Sequence, residues 1–287
     1  MENSDNMFTV MPMNQRFTLE PGQVYEGTIK VVNPADAKEN FNYKATVTPY
    51  GVMGTDYQAD LATITNQSAI VDWIKIENPT GSVKPNGYED IKFKITVPAD
   101  AAGGGQYATI AISSDTKTEA SDEVTVNNVF EMASIIYANV NGEIKHEGEI
   151  KDNSVPGFVT TAPVTVSATF TNTGNVHEDA AVIIKATNFF TGEVILPTED
   201  NEGEYSELIM PGTERVAYRE IDNLPALGVV TVDQTVYYMG NVSTVSSNVI
   251  ICPIWFLALV ILTIAALVTV VVRIILKHKK KKALAES

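Results

Sequence analysis

The stretch VPADAAGGGQYATIAI, residues 97–112, sets three consecutive glycines directly in front of an apolar, β-branched run. Glycine serves where backbone takes positive φ or where another group approaches it closely, so the run could be a phosphate-cradling loop, a linker or a corner between strands. A phosphate loop needs a helix next and a Lys-Ser or Lys-Thr pair to complete it. Here Tyr107, Thr109, Ile110 and Ile112 follow, which is strand chemistry, and no such pair is present. Gly103–Gly105 therefore reads as a tight corner that feeds a strand.

Working outward, short alternating runs dominate. In YEDIKFKITVP (88–98), Ile91, Phe93, Ile95 and Val97 share one face, with Lys92, Lys94 and Thr96 on the other. TVSATFTNTGN (165–175) repeats the pattern with Val166, Ala168 and Phe170. VYEGTIKVVNP (24–34) and NYKATVTPYG (42–51) do so with Tyr25, Ile29 and Val31, then Tyr43, Ala45 and Val47. Between the runs sit breakers such as Pro21-Gly22, Asn33-Pro34, Asn86-Gly87, Thr191-Gly192 and Pro211-Gly212. Strands at 8–12-residue spacing with such punctuation predict antiparallel sandwiches. The polar, breaker-rich segment NGEIKHEGEIKDNSVPG (141–157) separates two similar sets.

The expected organisation is all-β: two immunoglobulin-like antiparallel β-sandwich domains, residues 8–140 and 158–247, joined by a linker at 141–157. A disordered stretch precedes them at 1–7. A weak internal echo supports two copies, since LEPGQ (19–23) and IMPGT (209–213) share a Pro-Gly lead-in. In such sandwiches a tyrosine near the start of the penultimate strand can bond back to the preceding corner. Tyr107 is placed for that role, but it shares a face with Thr109 and Ala111 rather than with Ala108, Ile110 and Ile112, so a strict corner would need a bulge. Val230 holds the equivalent place in the second half.

The C-terminus is of a different kind. Val249 to Val272 are 24 uncharged residues, enough at 1.5 Å rise to cross a hydrocarbon core of ~30 Å with tilt. Arg273, Lys277 and Lys279–Lys282 follow. The reading is one transmembrane helix over 248–276 and a basic tail at 277–287, with Trp255 suited to the interface. Because Lys/Arg-rich flanks stay cytoplasmic, the sandwich part is expected outside the plasma membrane. That route requires an N-terminal signal, and MENSDNMFTV has neither a basic region nor an apolar core, so a signal peptide is expected to have been removed. The opposite orientation, a cytosolic tail-anchored adaptor, violates the charge rule.

Composition excludes several functions. The whole chain carries a formal −15, and residues 249–287 hold six basic residues against one acidic, so the first 248 carry −20. Such an acidic body repels nucleic-acid phosphates. Cys252 is the sole cysteine, which rules out an intramolecular disulfide, and it reads as a small apolar residue at the outer end of the span. His146, His177 and His278 lack metal-ligand spacing, and no metal or cofactor is expected. Glu199, Asp200, Glu202, Glu204 and Glu207 cluster in TEDNEGEYSE but lack the glycine and terminal glutamate of a calcium loop, which leaves a solvated hairpin tip. Catalytic motifs are absent, so a non-enzymatic binding protein is expected. Tyr50, Tyr57, Trp73 and Tyr88 lie near loops or strand ends, where aromatic rings could stack on sugars, although Trp73 in AIVDWIKI reads as core. LPALG (224–228) approximates a sortase box, the mark of a wall-anchored, pilin-like subunit. Its threonine is replaced by Leu227, and a strand-like stretch separates it from the apolar run.

FTVMPMNQRFTLEPGQVYEGTIKVVNP (8–34), DWIKIENPTGSVKPNGYEDIKFKITVPADAAGGGQYATI (72–110) and the span with its KHKKKK end together resemble the WxL-interacting proteins of bacterial surfaces. The resemblance implies a signal peptide, a first immunoglobulin-like domain associated with peptidoglycan binding, a second associated with surface or host proteins, one membrane span and a basic tail. It implies no catalytic residues. Adhesion to cell-wall polymer or to other proteins is the expected activity.

Overall fold

The computed structural model describes residues 8–114, 131–196 and 204–285. The expected disordered stretch 1–7, and Glu199, Asp200 and Glu202, lie outside them. By its contacts the chain falls into two compact units: residues 1–149 with 170–179 and 208–215, and residues 150–169 with 180–207 and 216–287. These units interleave in sequence, so they do not follow the expected boundary at 141–157.

The first unit is a sandwich. One sheet runs Thr9–Met11, Val24–Asn33, Gly87–Thr96, Ile74–Ile76; the other runs Asn14–Leu19, Glu131–Val140, Gly104–Ser114, Phe41–Pro49, Thr80–Val83. Pairing is antiparallel except between Asn14–Leu19 and Glu131–Val140, which lie parallel because the chain leaves the first sheet after Met11 and joins the second. Ile91, Phe93, Ile95 and Val97 are buried as the alternation predicts, facing Tyr43, Ala45, Ile110, Ile112, Ile136 and Ala138 in one cluster. The gap in that alternation at Gly27 is used. Phe93 pairs across from Gly27, and a Cβ there would lie 2.1 Å from the Phe93 ring, so the missing side chain makes room for a large one. Burying such a ring stabilises by about 1.5–3 kcal/mol. Trp73 ends the short helix Ile70–Trp73 and packs half-buried against this core.

The three glycines serve three different purposes. Gly103 lies against the backbone of Gly142 and Glu143, where a Cβ would meet Glu143 N at 2.6 Å. Gly104 has φ of +133°. Gly105 faces the Tyr107 hydroxyl, which a Cβ would approach to 2.0 Å. The corner is therefore both a close approach and a left-handed step, and the strand begins within it, at Gly104. Its register to Glu131–Val140 is continuous from Gly104↔Val140 onward, without the bulge that a tyrosine corner would need.

Farther strands form a sheet in the order Phe158–Val159, Asn241–Ile251, Gly228–Tyr238, Glu178–Asn188, Val194–Leu196, with Glu204–Ile209 also pairing to Glu178–Asn188, and one in the order Gly148–Ser154, Val164–Asn172, Glu214–Ile221, while Gly51–Met53 and Gln58–Asp60 make a two-stranded ribbon. Val164, Val166, Ala168 and Phe170 alternate inward as expected, and Val230 is fully buried. Two expected boundaries move. The stretch read as linker contains the strand Gly148–Ser154. Asn248–Ile251, read as the start of the span, instead completes the last strand: Val249 and Ile251 are buried while Asn248 and Ile250 face out. An unbroken apolar run hides its own period, so the change from strand to helix inside it left no mark in composition. Cys252 is accordingly buried just past the end of that strand, its N–H donating to Val159 O at 2.9 Å, and is not a residue of the helix.

The helix Ile254–Ala285 begins two residues later and continues through the lysine cluster expected to form a tail. Its segment Ile254–Lys277 is long and apolar enough to cross a membrane.

If the corner is as described, Gly104→Val should lower the stability of the folded chain by about 1–3 kcal/mol, since a β-branched residue tolerates that region poorly. Gly157→Ala, with no positive φ and nothing within 4 Å of the added Cβ, should leave it unchanged. Chemical unfolding of the two full-length variants checks this, and equal stability for both would remove the corner assignment.

Candidate binding surface

Tyr107 points away from the sandwich core, into a second cluster of the first unit. It pairs with Tyr137 on the neighbouring strand, their rings 6.1 Å apart at 69°, and Tyr50 meets Tyr137 edge-on at 5.7 Å. The Tyr107 hydroxyl accepts the His177 backbone N–H at 2.9 Å and lies 3.2 Å from His177 Nδ1. A tyrosine corner is thus not formed. The hydroxyl bonds to residues 70 positions away rather than to the corner before it. The parity of the strand required a bulge for the local bond, and the register contains none.

The same unit holds two arginines beside these rings. Arg16 grips Asp179 through two hydrogen bonds of 2.5 and 2.9 Å, which raises the guanidinium and depresses the carboxyl below its ordinary range. Arg215 lies over the Tyr57 ring at 4.5 Å and donates to Leu208 O. Tyr57, held at φ +60°, accepts the Met210 N–H at 2.9 Å and shares a short hydrogen bond with Thr213. Burial, and then the nearby Arg16, push His177 down to about 4, so it is neutral at pH 7. Tyr107 and Tyr137 are pushed up, chiefly by burial. The hydroxyls of Tyr57, Tyr107 and Tyr137 and the Arg215 guanidinium are each used by a neighbour. Its role is to hold residues 170–179 and 208–215 in the first unit.

Of the four aromatic residues considered for sugar stacking, Tyr50 and Tyr57 are therefore taken up by this cluster and Trp73 by the core. Tyr88 alone is open, at 65% exposure. It projects from the outer face of the four-stranded sheet, and Lys30 holds its ammonium 4.3 Å from the ring centre. Across the strands Lys30 pairs with Asp90 on one side and Met11 on the other. Met11, Pro12, Thr28, Lys30 and Asp90 line an open concavity of about 500 Å³. Farther along this face Lys94 reaches Glu26 and Glu77 at 3.3 Å each, so its ammonium is shared between two carboxylates. The surface thus offers an aromatic platform, a cation, a carboxylate, a hydroxyl and an exposed thioether within two adjoining strands and the edge strand beside them.

Other candidates resolve differently. His146 pairs with Glu178, and among the described residues no group of three metal-binding side chains occurs. Glu207 belongs to no solvated tip: it is 2% exposed and ion-pairs with Arg219, whose guanidinium sits 4.6 Å over the Tyr205 ring. Leu227 precedes Gly228, which opens the strand Gly228–Tyr238. Cleavage in LPALG would cut away that strand and Asn241–Ile251 with it.

No protein-family model matches this chain, and no curated protein matches it. Solved structures do resemble it: a chaperone–tip adhesin complex of CFA/I fimbriae (12% identity, TM-score 0.40, 84% of this chain and 98% of that one), the class 5 fimbriae chaperone CfaA (12%, 0.38, 85% and 99%) and the E. coli chaperone DraB (12%, 0.37, 84% and 97%). At TM-scores below 0.5 these likenesses carry no information about function.

The buried histidine gives a pH dependence with a defined sign. Its folded value near 4 lies below the ordinary 6.5, so between those limits the unfolded chain binds a proton that the folded chain does not, and stability falls as pH falls. The loss between pH 7 and pH 4 attributable to His177 should reach about 3 kcal/mol. Urea unfolding of the wild type and His177→Asn at pH 7, 5.5 and 4 measures it. The variant should be less stable at pH 7 and show a shallower decline, and parallel declines would contradict the assignment.

Proposed function

We propose that the chain is a single-pass, non-catalytic surface protein whose sandwich part lies outside the plasma membrane and binds cell-wall polymer, with peptidoglycan the expected ligand. The observation that carries this reading is the junction at Cys252-Pro253, where a buried core strand passes directly into a long apolar helix followed by Lys279–Lys282. The positive flank favours the cytoplasm, which leaves the strands on the other side. Adhesion to other surface or host proteins is the second part of the same reading, implied by the resemblance to WxL-interacting proteins.

The outer face around Tyr88 supports a saccharide ligand in chemical terms. Sugar C–H faces pack on aromatic rings, and Lys30, Asp90 and Thr28 supply hydrogen-bonding groups at neighbouring rungs. Because the first 248 residues carry −20, long-range attraction to an anionic wall is excluded, so attachment rests on short-range stacking and polar contacts and should persist at physiological salt.

The sortase-processed alternative is disfavoured by the position of LPALG ahead of two core strands. A tail-anchored cytosolic adaptor would place the sandwich on the opposite side.

Two measurements test the proposal. Protease added to intact cells should digest the strands and leave a short C-terminal fragment protected; full protection of the strands would reverse the orientation. Full-length protein in detergent should be retained by purified peptidoglycan, and Tyr88→Ala should weaken retention about 3–10-fold, the worth of one stacking contact. Tyr218→Ala, which removes an exposed ring elsewhere, should not change it. No retention above an unrelated acidic protein would refute wall binding.

A further inference from the structure

The outer face of the sheet that ends at the helix changes character along its length. Between the exposed Tyr237–Val242 rung at its far end and the rung beside the helix, the middle rungs across its central strands are polar and hydrogen-bonded to one another: Thr235 with Thr244, Asp233 with Ser246 and Thr231 with Asn248. The last outward rung is not. Phe158 pairs with Ile250 and Ile250 with Val229, and Phe158 and Ile250 are each about half exposed. Level with them, the Phe189 N–H donates to Val229 O at 3.0 Å, starting a turn that carries Phe189 and Phe190, the latter 75% exposed. Leu227 is also exposed, next to Gly228, which pairs with Ile251. Consecutive outward rungs are two residues, ~7 Å, apart. A polar face thus becomes an apolar collar within one rung of the strand end.

This is the end at which the helix begins. Only Cys252 and Pro253 separate Ile251 from Ile254, so Ile251, one residue past the Ile250 rung, stays within ~11 Å of the first helical residue however the connection bends. Trp255 in that first turn is an interfacial residue by type. The headgroup layer of one leaflet is ~5–8 Å deep, so a helix that enters the hydrocarbon here brings Phe158, Phe189, Phe190, Leu227 and Ile250 down to it. Glu193 and Asp222 are exposed in the same two connections.

We propose that this collar is a membrane-seating surface: the aromatic turn and the last rung rest in the headgroup region of the bilayer that the helix spans, so the sandwich end is held on the membrane at several points rather than by the helix alone. The occupant is lipid because the collar is continuous with the helix, and the chain leaves it no slack to turn elsewhere. The inference rests on the reading of Ile254–Lys277 as a span, and its test separates the two.

In a Cys252→Ala background, single labels of an environment-sensitive fluorophore are placed at Phe190→Cys, Leu227→Cys, Ser246→Cys and Thr263→Cys in the full-length chain, reconstituted in phosphatidylcholine vesicles. Quenching is read with lipids bearing a nitroxide either near the headgroup or at mid-chain. The label at 263 should be quenched by the mid-chain nitroxide, and those at 190 and 227 by the shallow one at least ~3-fold more than the label on the polar rung at 246. The label at 227 keeps Phe190 in place, so loss of that ring cannot decide the result. If 263 is quenched while 190 and 227 behave as 246 does, the span stands and the seating surface is refuted. If 263 is unquenched, the span itself fails and the inference falls with it. Labels at 227 that escape lipid quenching but self-quench as the protein-to-lipid ratio rises would assign the collar to a second copy, and would also overturn the proposal.

Discussion

A two-residue connection constrains everything proposed for this chain. Asn241–Ile251 is a core strand, paired along its whole length with Gly228–Tyr238, and Ile254 already belongs to the helix. No flexible stalk intervenes. A sheet whose final strand is fixed by eleven ladder positions cannot swing freely about a helix joined at Cys252, because Cys252 itself donates a backbone hydrogen bond to Val159. Orientation of that sheet and orientation of the helix are therefore one problem, and the charge asymmetry between the acidic strands and the Lys279–Lys282 cluster bears on both.

The strand core was largely legible in the sequence, since a half-buried strand writes its burial directly as alternation. Ile91, Phe93, Ile95 and Val97 show it, as do Val166, Ala168 and Phe170. What alternation could not report was burial on both faces. Gly104–Ser114 is enclosed on both sides for most of its length, and Tyr107, which looked like a misplaced corner residue, fills the second side. The partner of its hydroxyl, His177, lies far along the chain, and no local pattern encodes such a contact. The junction between strand and helix was hidden for a different reason. Val249 to Val272 is apolar under either period, and only the ladder to Val230 and Gly228 decides where one ends.

The candidate surface was partly visible as well. Tyr88 stood out as an aromatic residue beside a turn, but so did Tyr50 and Tyr57, and composition cannot distinguish a ring on a surface from one in a cluster. Strand pairing made the difference. It set Lys30 between Asp90 and Met11 and brought its ammonium over Tyr88, whereas Tyr50 and Tyr57 were drawn among Tyr137, Thr213 and Arg215. The exposed ion pair of Arg16 with Asp179 contributes at most about 1 kcal/mol, so the buried rings and the His177–Tyr107 bonds do more than charge to hold that cluster.

Amide hydrogen exchange across the junction, measured on the full-length protein in lipid, tests the central claim most directly. If strand and helix are joined without a stalk, the amides of Ile250 and Cys252, which donate to Gly157 and Val159, and of Phe256 and Leu257, which donate to Pro253, should exchange as slowly as those of Val230–Val236 in the adjoining core strand. Fast exchange confined to residues 250–257, with the core strand protected, would show a flexible tether and contradict the account.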